Sequence, residues 1–240
     1  MPKYLRALTP ILIAAALTAA TSASAFAAGS HNPVGVAGNW RMAFDDEFNG
    51  TSLNQNVWNP HNGWTDQNDV TDHLGNITVH GGDAIFKLAS RTSGAEIGSN
   101  HFSLKVGEYA EARIKFAGDG LTVYNWPAWW VSGPDWPNAG ENDIAEGLGE
   151  LTINYHSPLG GLETGPVEGT TWSSGFHTYG IYRGRFFSHI YWDGKLVRTY
   201  RTHDDGQPQM LLLTMGAANV IRTGVAGEMI VDYVRAWEPA

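Results

Sequence analysis

Three carboxylates fall within six positions in the run Gly140-Glu141-Asn142-Asp143-Ile144-Ala145-Glu146-Gly147-Leu148-Gly149, and tryptophans stand upstream at 126, 129, 130 and 136. Like charges this close repel, so at least one carboxyl keeps its proton to higher pH than a free glutamic acid does. A protonated carboxyl beside an ionised one is what general-acid and nucleophilic chemistry need. The stretch has few helix formers at its start and is bracketed by Gly and Pro, which predicts a strand over 141–146. A regular strand would put Glu141, Asp143 and Ala145 on one face and Glu146 on the other. One extra residue in a β-bulge around Ile144-Ala145 turns Glu146 back onto the face of Glu141 and Asp143. Glu141 and Glu146 are then about four strand steps apart, roughly 13 Å between Cα atoms. Inward-leaning side chains would bring the carboxyls to on the order of 5–6 Å, the spacing of a double-displacement glycosidase. On these residues alone, an acidic solvated strand end or a divalent-cation loop remains open.

The rest of the chain has to hold that strand in a sheet. With no cysteine, neither a disulfide framework nor a thiolate metal site is available, and stability must come from a large core. Twenty-nine Gly, ten Trp, nine Tyr and nine Phe against 16% charged residues point to a β-rich domain with tight turns. Asn76–His80 and Ala84–Leu88 flank a Gly81-Gly82-Asp83 turn, and Phe187–Trp192 and Lys195–Val197 flank Asp193-Gly194, a pair suited to a type I′ hairpin. Met229–Trp237 reads as the last strand, with Trp40–Phe48 as the first beside it. No sustained helical period with caps follows the N-terminal segment. Many short strands at turn-like spacing imply a sandwich or barrel, here one domain over 28–240.

Residues 1–27 have the pattern of a secretory signal peptide: Lys3 and Arg6, the apolar run Ile11–Leu17, and Ala-x-Ala patterns at Ala23-Ser24-Ala25 and Ala25-Phe26-Ala27. The run is too short for a membrane span, so the expected product is secreted, extracellular and free of the membrane. Removing two basic and no acidic side chains takes the formal charge from −9 to −11, which disfavours nucleic acid and polyanionic ligands.

The segment Trp136-Pro137-Asn138-Ala139-Gly140-Glu141-Asn142-Asp143-Ile144-Ala145-Glu146 resembles the bulged W-P-x-x-G-E-x-D-x-x-E signature of glycoside hydrolase family 16. Glu111-Ala112-Arg113-Ile114-Lys115 and Trp126-Pro127-Ala128-Trp129-Trp130 resemble strands that precede it in that family. Phe176-His177-Thr178-Tyr179-Gly180, Asp193-Gly194-Lys195 and Val231-Asp232-Tyr233-Val234-Arg235 resemble strands that follow, so the likeness covers about residues 40–238. It implies an all-β, concanavalin-like β-jelly-roll sandwich with a concave substrate cleft. It also implies a retaining endo-glycosidase of the laminarinase-like branch, acting as a monomer on a neutral polysaccharide such as β-1,3- or β-1,3/1,4-glucan.

By that resemblance Glu141 is the nucleophile, Glu146 the general acid/base and Asp143 the carboxylate between them. Trp126 and Trp136 match positions where indoles line the cleft. Trp129 and Trp130, being adjacent, face opposite ways, so one of them belongs to the core, and Trp130 is the candidate for the cleft. Arg113 and His156 are further candidates for sugar hydroxyls. Asp232 resembles a residue that helps hold a structural calcium; no cofactor is expected for catalysis. Asn142 stands where the family has an aliphatic residue, and an amide there needs a buried partner or a wetter second layer. A lectin-like binding module would need the aromatics but not three carboxylates. A transglycosylase or an enzyme for another β-glycan, such as a galactan, is the remaining alternative.

Overall fold

The computed structural model describes residues 32–166, 172–218 and 220–240; the expected signal peptide lies outside the described residues. Sixteen strands run through them, with 3-10 turns only at Leu74–Asn76 and Gly224–Gly227. One eight-stranded sheet has the order β14 (Lys195–Arg201), β13 (Phe187–Trp192), β12 (His177–Arg183), β7 (Tyr109–Lys115), β16 (Met229–Pro239), β5 (Asp83–Phe86), β4 (Ile77–His80), with β1 (Trp40–Asp46) also on β16. The other has the order β11 (Gly160–Pro166), β10 (Leu151–Ser157), β9 (Glu141–Gly147), β8 (Trp126–Ser132), β15 (Met210–Gly216), β6 (Ser93–Ser99), β2 (Trp58–Pro60), with β3 (Thr71–Asp72) parallel to β6.

Local sequence explains the hairpins. Asp193 and Gly194 both take positive φ, 47° and 71°, as a type I′ turn demands, and β13 and β14 pair antiparallel across it. Gly81 and Gly82 do the same between β4 and β5, at 67° and 89°. The first strand ends at Asp46 rather than reaching Phe48, whose φ is 46°, and it pairs with the last strand as expected.

Between the sheets lies a layer of apolar side chains that includes Trp58, Phe86, Ile97, Phe116, Trp129, Ile144 and Trp192, each at most 1% exposed. Burying side chains of this size contributes roughly 1.5–3 kcal/mol each, which suits a chain without disulfides. Buried indoles also carry N–H groups that must find acceptors. Trp129 on β8 donates to the Tyr179 carbonyl of the opposite sheet at 3.0 Å, and Trp192 on β13 donates to the Ile144 carbonyl at 2.9 Å. The sheets are thus tied in both directions across the core, once at the strand that bears the carboxylates.

Candidate active site

On β9 the pairing slips by one residue on both sides. Against β8, Trp130 stands opposite Asp143 and Trp129 opposite Ala145; against β10, Asn154 stands opposite Asp143 and Thr152 opposite Glu146. Ile144 has no partner in either ladder, which is the bulge that the carboxylate spacing required. Ile144 and Ala145 both enter the core, and Glu141, Asp143 and Glu146 share the outer face. The carbonyl of the bulged Ile144 accepts a hydrogen bond from the Trp192 indole of the opposite sheet.

The register sets up three rows across the sheet. Glu141 lies between His156 on β10 and Ser132 on β8; Asp143 lies between Asn154 and Trp130; Glu146 lies between Thr152 and Ala128. The last row runs on through Thr214 to Glu96, because Thr214 pairs with both Ala128 and Glu96. Ala128 is small, which leaves room beside Glu146 for the indole of Trp126, whose Nε1 donates to Glu146 Oε1 at 2.6 Å. Asn154 donates to Glu146 Oε2 and, at 3.2 Å, to Thr152 Oγ1, which in turn donates to the Glu146 carbonyl at 3.2 Å. His156 Nε2 stands 3.7 Å from Glu141 Oε1 and 3.5 Å from Asp143 Oδ2, near enough for attraction between charges. Asp143 is 4% exposed, and its Oδ2 has no hydrogen-bond partner.

Burial is the largest cause of proton retention at all three carboxyls. Glu141 is pushed up to about 8 by burial and then by Asp143, with His156 opposing. Asp143 rises to about 7 by burial, with His156 pulling back and Glu146 adding to the rise. Glu146 is also raised, but the N–H groups of Trp126 and Asn154 hold it down by favouring its ionised form. His156 is raised by the Asp143 carboxylate beside it. All three carboxyls therefore hold a proton more readily than free carboxyls do, and the hydrogen bonds from Trp126 and Asn154 oppose that tendency at Glu146.

Behind the strand, Asn142 is fully buried and fully used: its Nδ2 donates to Gln209 Oε1 at 2.7 Å and its Oδ1 accepts from Tyr200 OH at 2.8 Å. Gln209 Nε2 donates onward to the Ala139 carbonyl at 2.8 Å, joining the Trp136–Gly140 loop to the start of β9. Gly140, at φ 74°, fits only because it has no Cβ, which would lie 2.6 Å from Asp204 Cβ.

Along the same outer face, a cavity of about 520 Å³ is lined by His61, Trp64, Glu96, Trp130, Ser132 and Met210, among others, and by no Lys or Arg. Trp130 Nε1 donates to Thr214 Oγ1 at 2.8 Å, Thr214 donates to Glu96 Oε2 at 2.8 Å, and Glu96 Oε1 binds His61 Nδ1. Trp130 is therefore the cleft indole and Trp129 the core one. Trp136 is 59% exposed, its ring centroid 6.4 Å from that of His156.

Two candidates stand elsewhere. Arg113 is on β7, in the sheet that lacks the carboxylates; its Nη1 pairs with Asp232 Oδ2 and its guanidinium lies 4.5 Å from the Phe176 ring centroid. The sequence of the strand does not show which sheet it joins. Asp232 is accordingly engaged by an arginine, and this donor set does not fit a calcium ion. Conversely, Asn154 and Thr152, on the same strand as His156 and at alternate positions to it, were within reach of strand alternation. Glu96, Thr214 and Trp192 gave no signal, because only the strand pairing brings the first two to the row of Glu146, and only the packing of the two sheets brings Trp192 to β9.

The sequence of residues 120–159 matches the family model described as the XgeA-like, catalytic GH16 domain. No curated protein matches the chain in sequence. Among solved structures, the chain is similar to an endo-β-1,3-glucanase from Pyrococcus furiosus, with 21% identity and TM-score 0.69, covering 86% of this chain and 98% of that one. It is also similar to SCLam, a non-specific endo-β-1,3(4)-glucanase from family GH16, with 21% identity and TM-score 0.71 over 87% and 95% of the two chains. A third similar structure, described under endo-acting O-glycanases of the human gut microbiota that initiate mucin breakdown, has 18% identity and TM-score 0.67 over 83% and 100%. At these identities the likeness shows the fold, a jelly-roll of two antiparallel sheets.

Proposed function

We propose that this protein is a secreted endo-acting glycoside hydrolase that cleaves a neutral β-glucan, β-1,3- or mixed β-1,3/1,4-linked, with retention of configuration. The observation that carries the reading is the bulge, which brings Glu141, Asp143 and Glu146 to one face while burying the two residues between them. The family match falls on the same stretch, residues 120–159. In this reading Glu141 attacks the anomeric carbon as Glu146 gives its proton to the leaving oxygen. Water then loses a proton to Glu146 and displaces Glu141, which restores both groups. The productive complex carries its proton on Glu146 and leaves Glu141 ionised; closing out solvent around Glu146 favours its protonated form, and the positive charge developing at the sugar stabilises ionised Glu141.

The substrate follows from the cavity beside the carboxylates, which reaches them through their neighbours Ser132 and Trp130 rather than being lined by them. The residues lining the cavity include two tryptophans, a histidine and a glutamate but no Lys or Arg, so a sulfated or uronate chain meets repulsion without compensation. The exposed faces of Trp64 and Trp136 suit sugar rings instead. A lectin-like module has no use for three carboxyls raised by mutual burial. Export rests on the pattern of residues 1–27, and intact mass of the chain recovered from a secreting host tests it; elution at monomer volume tests its state of association.

The deciding experiment incubates the purified chain with laminarin, mixed-linkage glucan, carrageenan and mucin O-glycans. Oligosaccharide masses identify the cleaved substrate and NMR identifies the first-formed anomer. Internal cleavage of laminarin or mixed-linkage glucan to β-anomeric products is expected. Faster cleavage of a sulfated galactan or of mucin glycans overturns the substrate, and α-anomeric first products overturn the mechanism.

A further inference from the structure

Glu141, Asp143 and His156 each offer a donor atom, and these atoms lie within 4.8 Å of one another. The two imidazole-to-carboxylate separations, 3.5 and 3.7 Å, are long for hydrogen bonds. They are close to the edge of a different figure. Ligand atoms held at about 2.0–2.1 Å from a tetrahedral ion stand about 3.3 Å from each other. A second observation points the same way: Asp143 Oδ2, buried and facing His156, has no hydrogen-bond partner. Such an atom ordinarily marks strain, a missing water or a missing ion.

From this arrangement we propose that Glu141 Oε1, Asp143 Oδ2 and His156 Nε2 form a reversible binding site for one zinc-class divalent ion, which blocks the cleft while bound. The donor set selects the ion. An imidazole with two carboxylates suits zinc, whereas magnesium and calcium require shells of oxygen that these three residues do not supply. Asp143 is fixed by burial, so Glu141 and His156, whose side chains are 18% and 39% exposed, make the adjustment that closes the triangle. Three protein donors leave a fourth position open to water. Glu146 is not a ligand, because its two oxygens are taken by Trp126 and Asn154. The ion would hold Glu141 and so exclude a sugar from the same place.

Calorimetric titration of the metal-free protein with zinc chloride tests the site without reference to turnover. One equivalent is expected to bind to the wild type and to Glu146→Gln alike, while His156→Ala and Glu141→Gln each weaken binding at least tenfold. Magnesium and calcium chloride should give no specific heat. Cobalt(II), added in place of zinc, should give the intense visible absorption of a four-coordinate ion, and that band should vanish in His156→Ala. Circular dichroism checks the fold of each variant, and Glu141→Gln carries the test if His156→Ala does not fold. Absence of zinc binding, binding by both ligand variants as tight as that of the wild type, or a weak six-coordinate cobalt spectrum overturns the proposal. If no glycan is cleaved but zinc binds as described, the hydrolase reading fails and the metal site stands.

Discussion

Strands β7 and β16 of one sheet and strand β9 of the other treat charge in opposite ways. On the sheet that carries β7 and β16, acids meet bases: Arg113 pairs with Asp232, and Arg235 pairs with Glu47 at 2.6 Å and Asp45 at 3.7 Å. Even the fully buried Glu111 accepts hydrogen bonds from Tyr233 OH at 3.1 Å and Val34 N at 3.0 Å. On β9, Glu141, Asp143 and Glu146 are packed beside one another with a single titratable base, His156, as neighbour. The first pattern is that of charges kept for structure, neutralised or hydrogen-bonded where they are buried. The second costs stability and is the pattern expected where protons must be held and released near neutrality.

The contrast breaks most directly at the carboxylates themselves. Glu146→Gln should lower turnover by about 10²–10⁴, the range of general acid–base assistance, and Glu141→Gln should lose at least as much. Asp143→Asn should be milder. Asp232→Asn, on the paired sheet, should leave turnover near that of the wild type. Azide should rescue one of the two Glu variants and give a glycosyl azide of inverted configuration only where the nucleophile has been removed. Wild-type turnover in Glu141→Gln would end this account of the site.

Trp192 sharpens the comparison, because it is a residue of the paired sheet spent on the carboxylate strand. Trp192→Phe keeps much of the ring in the core but takes the indole donor away from the Ile144 carbonyl, at a cost of about 1–3 kcal/mol in unfolding free energy. Turnover should fall as well, since the bulge then lacks its tie. Urea unfolding and steady-state rates measure the two effects. A stability loss with unchanged rate would show that the bulge holds its geometry without the indole.

Much of this was legible in the sequence. The need for a bulge followed from the spacing of Glu141, Asp143 and Glu146 alone, and the Asp193-Gly194 and Gly81-Gly82 turns declared their hairpins through their conformational demands. What could not be read was which strands become neighbours. Arg113 looked equivalent to His156 as a candidate until β7 proved to lie in the other sheet. Glu96 reaches the row of Glu146 only through Thr214 and Ala128 on two intervening strands, and no spacing in the chain encodes that. Asn142 announced a buried partner by its type, but Tyr200 and Gln209, 58 and 67 residues away, could be named only from the fold.

The paired and unpaired faces should also differ in how stability responds to pH. Glu141 and Asp143 have raised values in the folded state, about 8 and about 7, so between ordinary carboxyl values and those the folded chain binds more protons than the unfolded one. Stability is then fully present below the unfolded values and is lost as pH rises through the folded ones. The melting temperature should fall between pH 5 and pH 9 (about one unit beyond the higher folded value), and Glu141→Gln should flatten that fall. At the alkaline end the variant should melt above the wild type. Asp232→Asn, which strips Arg113 of its partner, should gain nothing there. A melting curve for Glu141→Gln with the same pH slope as the wild type would mean that the carboxyls do not carry the strain.

The smallest effect separates the two places where the working proton could reside. Asn154 is buried and donates to Glu146, favouring its anion, so Asn154→Leu should raise the value of Glu146. If Glu146 is the acid that must be protonated in the free enzyme, the alkaline limb of kcat/KM moves to higher pH by a fraction of a unit to about one unit. Thr152→Val is the control, because Thr152 gives its hydroxyl to the Glu146 carbonyl and not to its carboxylate. That variant should leave the limb where it was. A limb that stays fixed in Asn154→Leu but shifts in Asp143→Asn would assign it to the Glu141–Asp143 pair, and the transfer of the proton to Glu146 would then have to follow sugar binding rather than precede it.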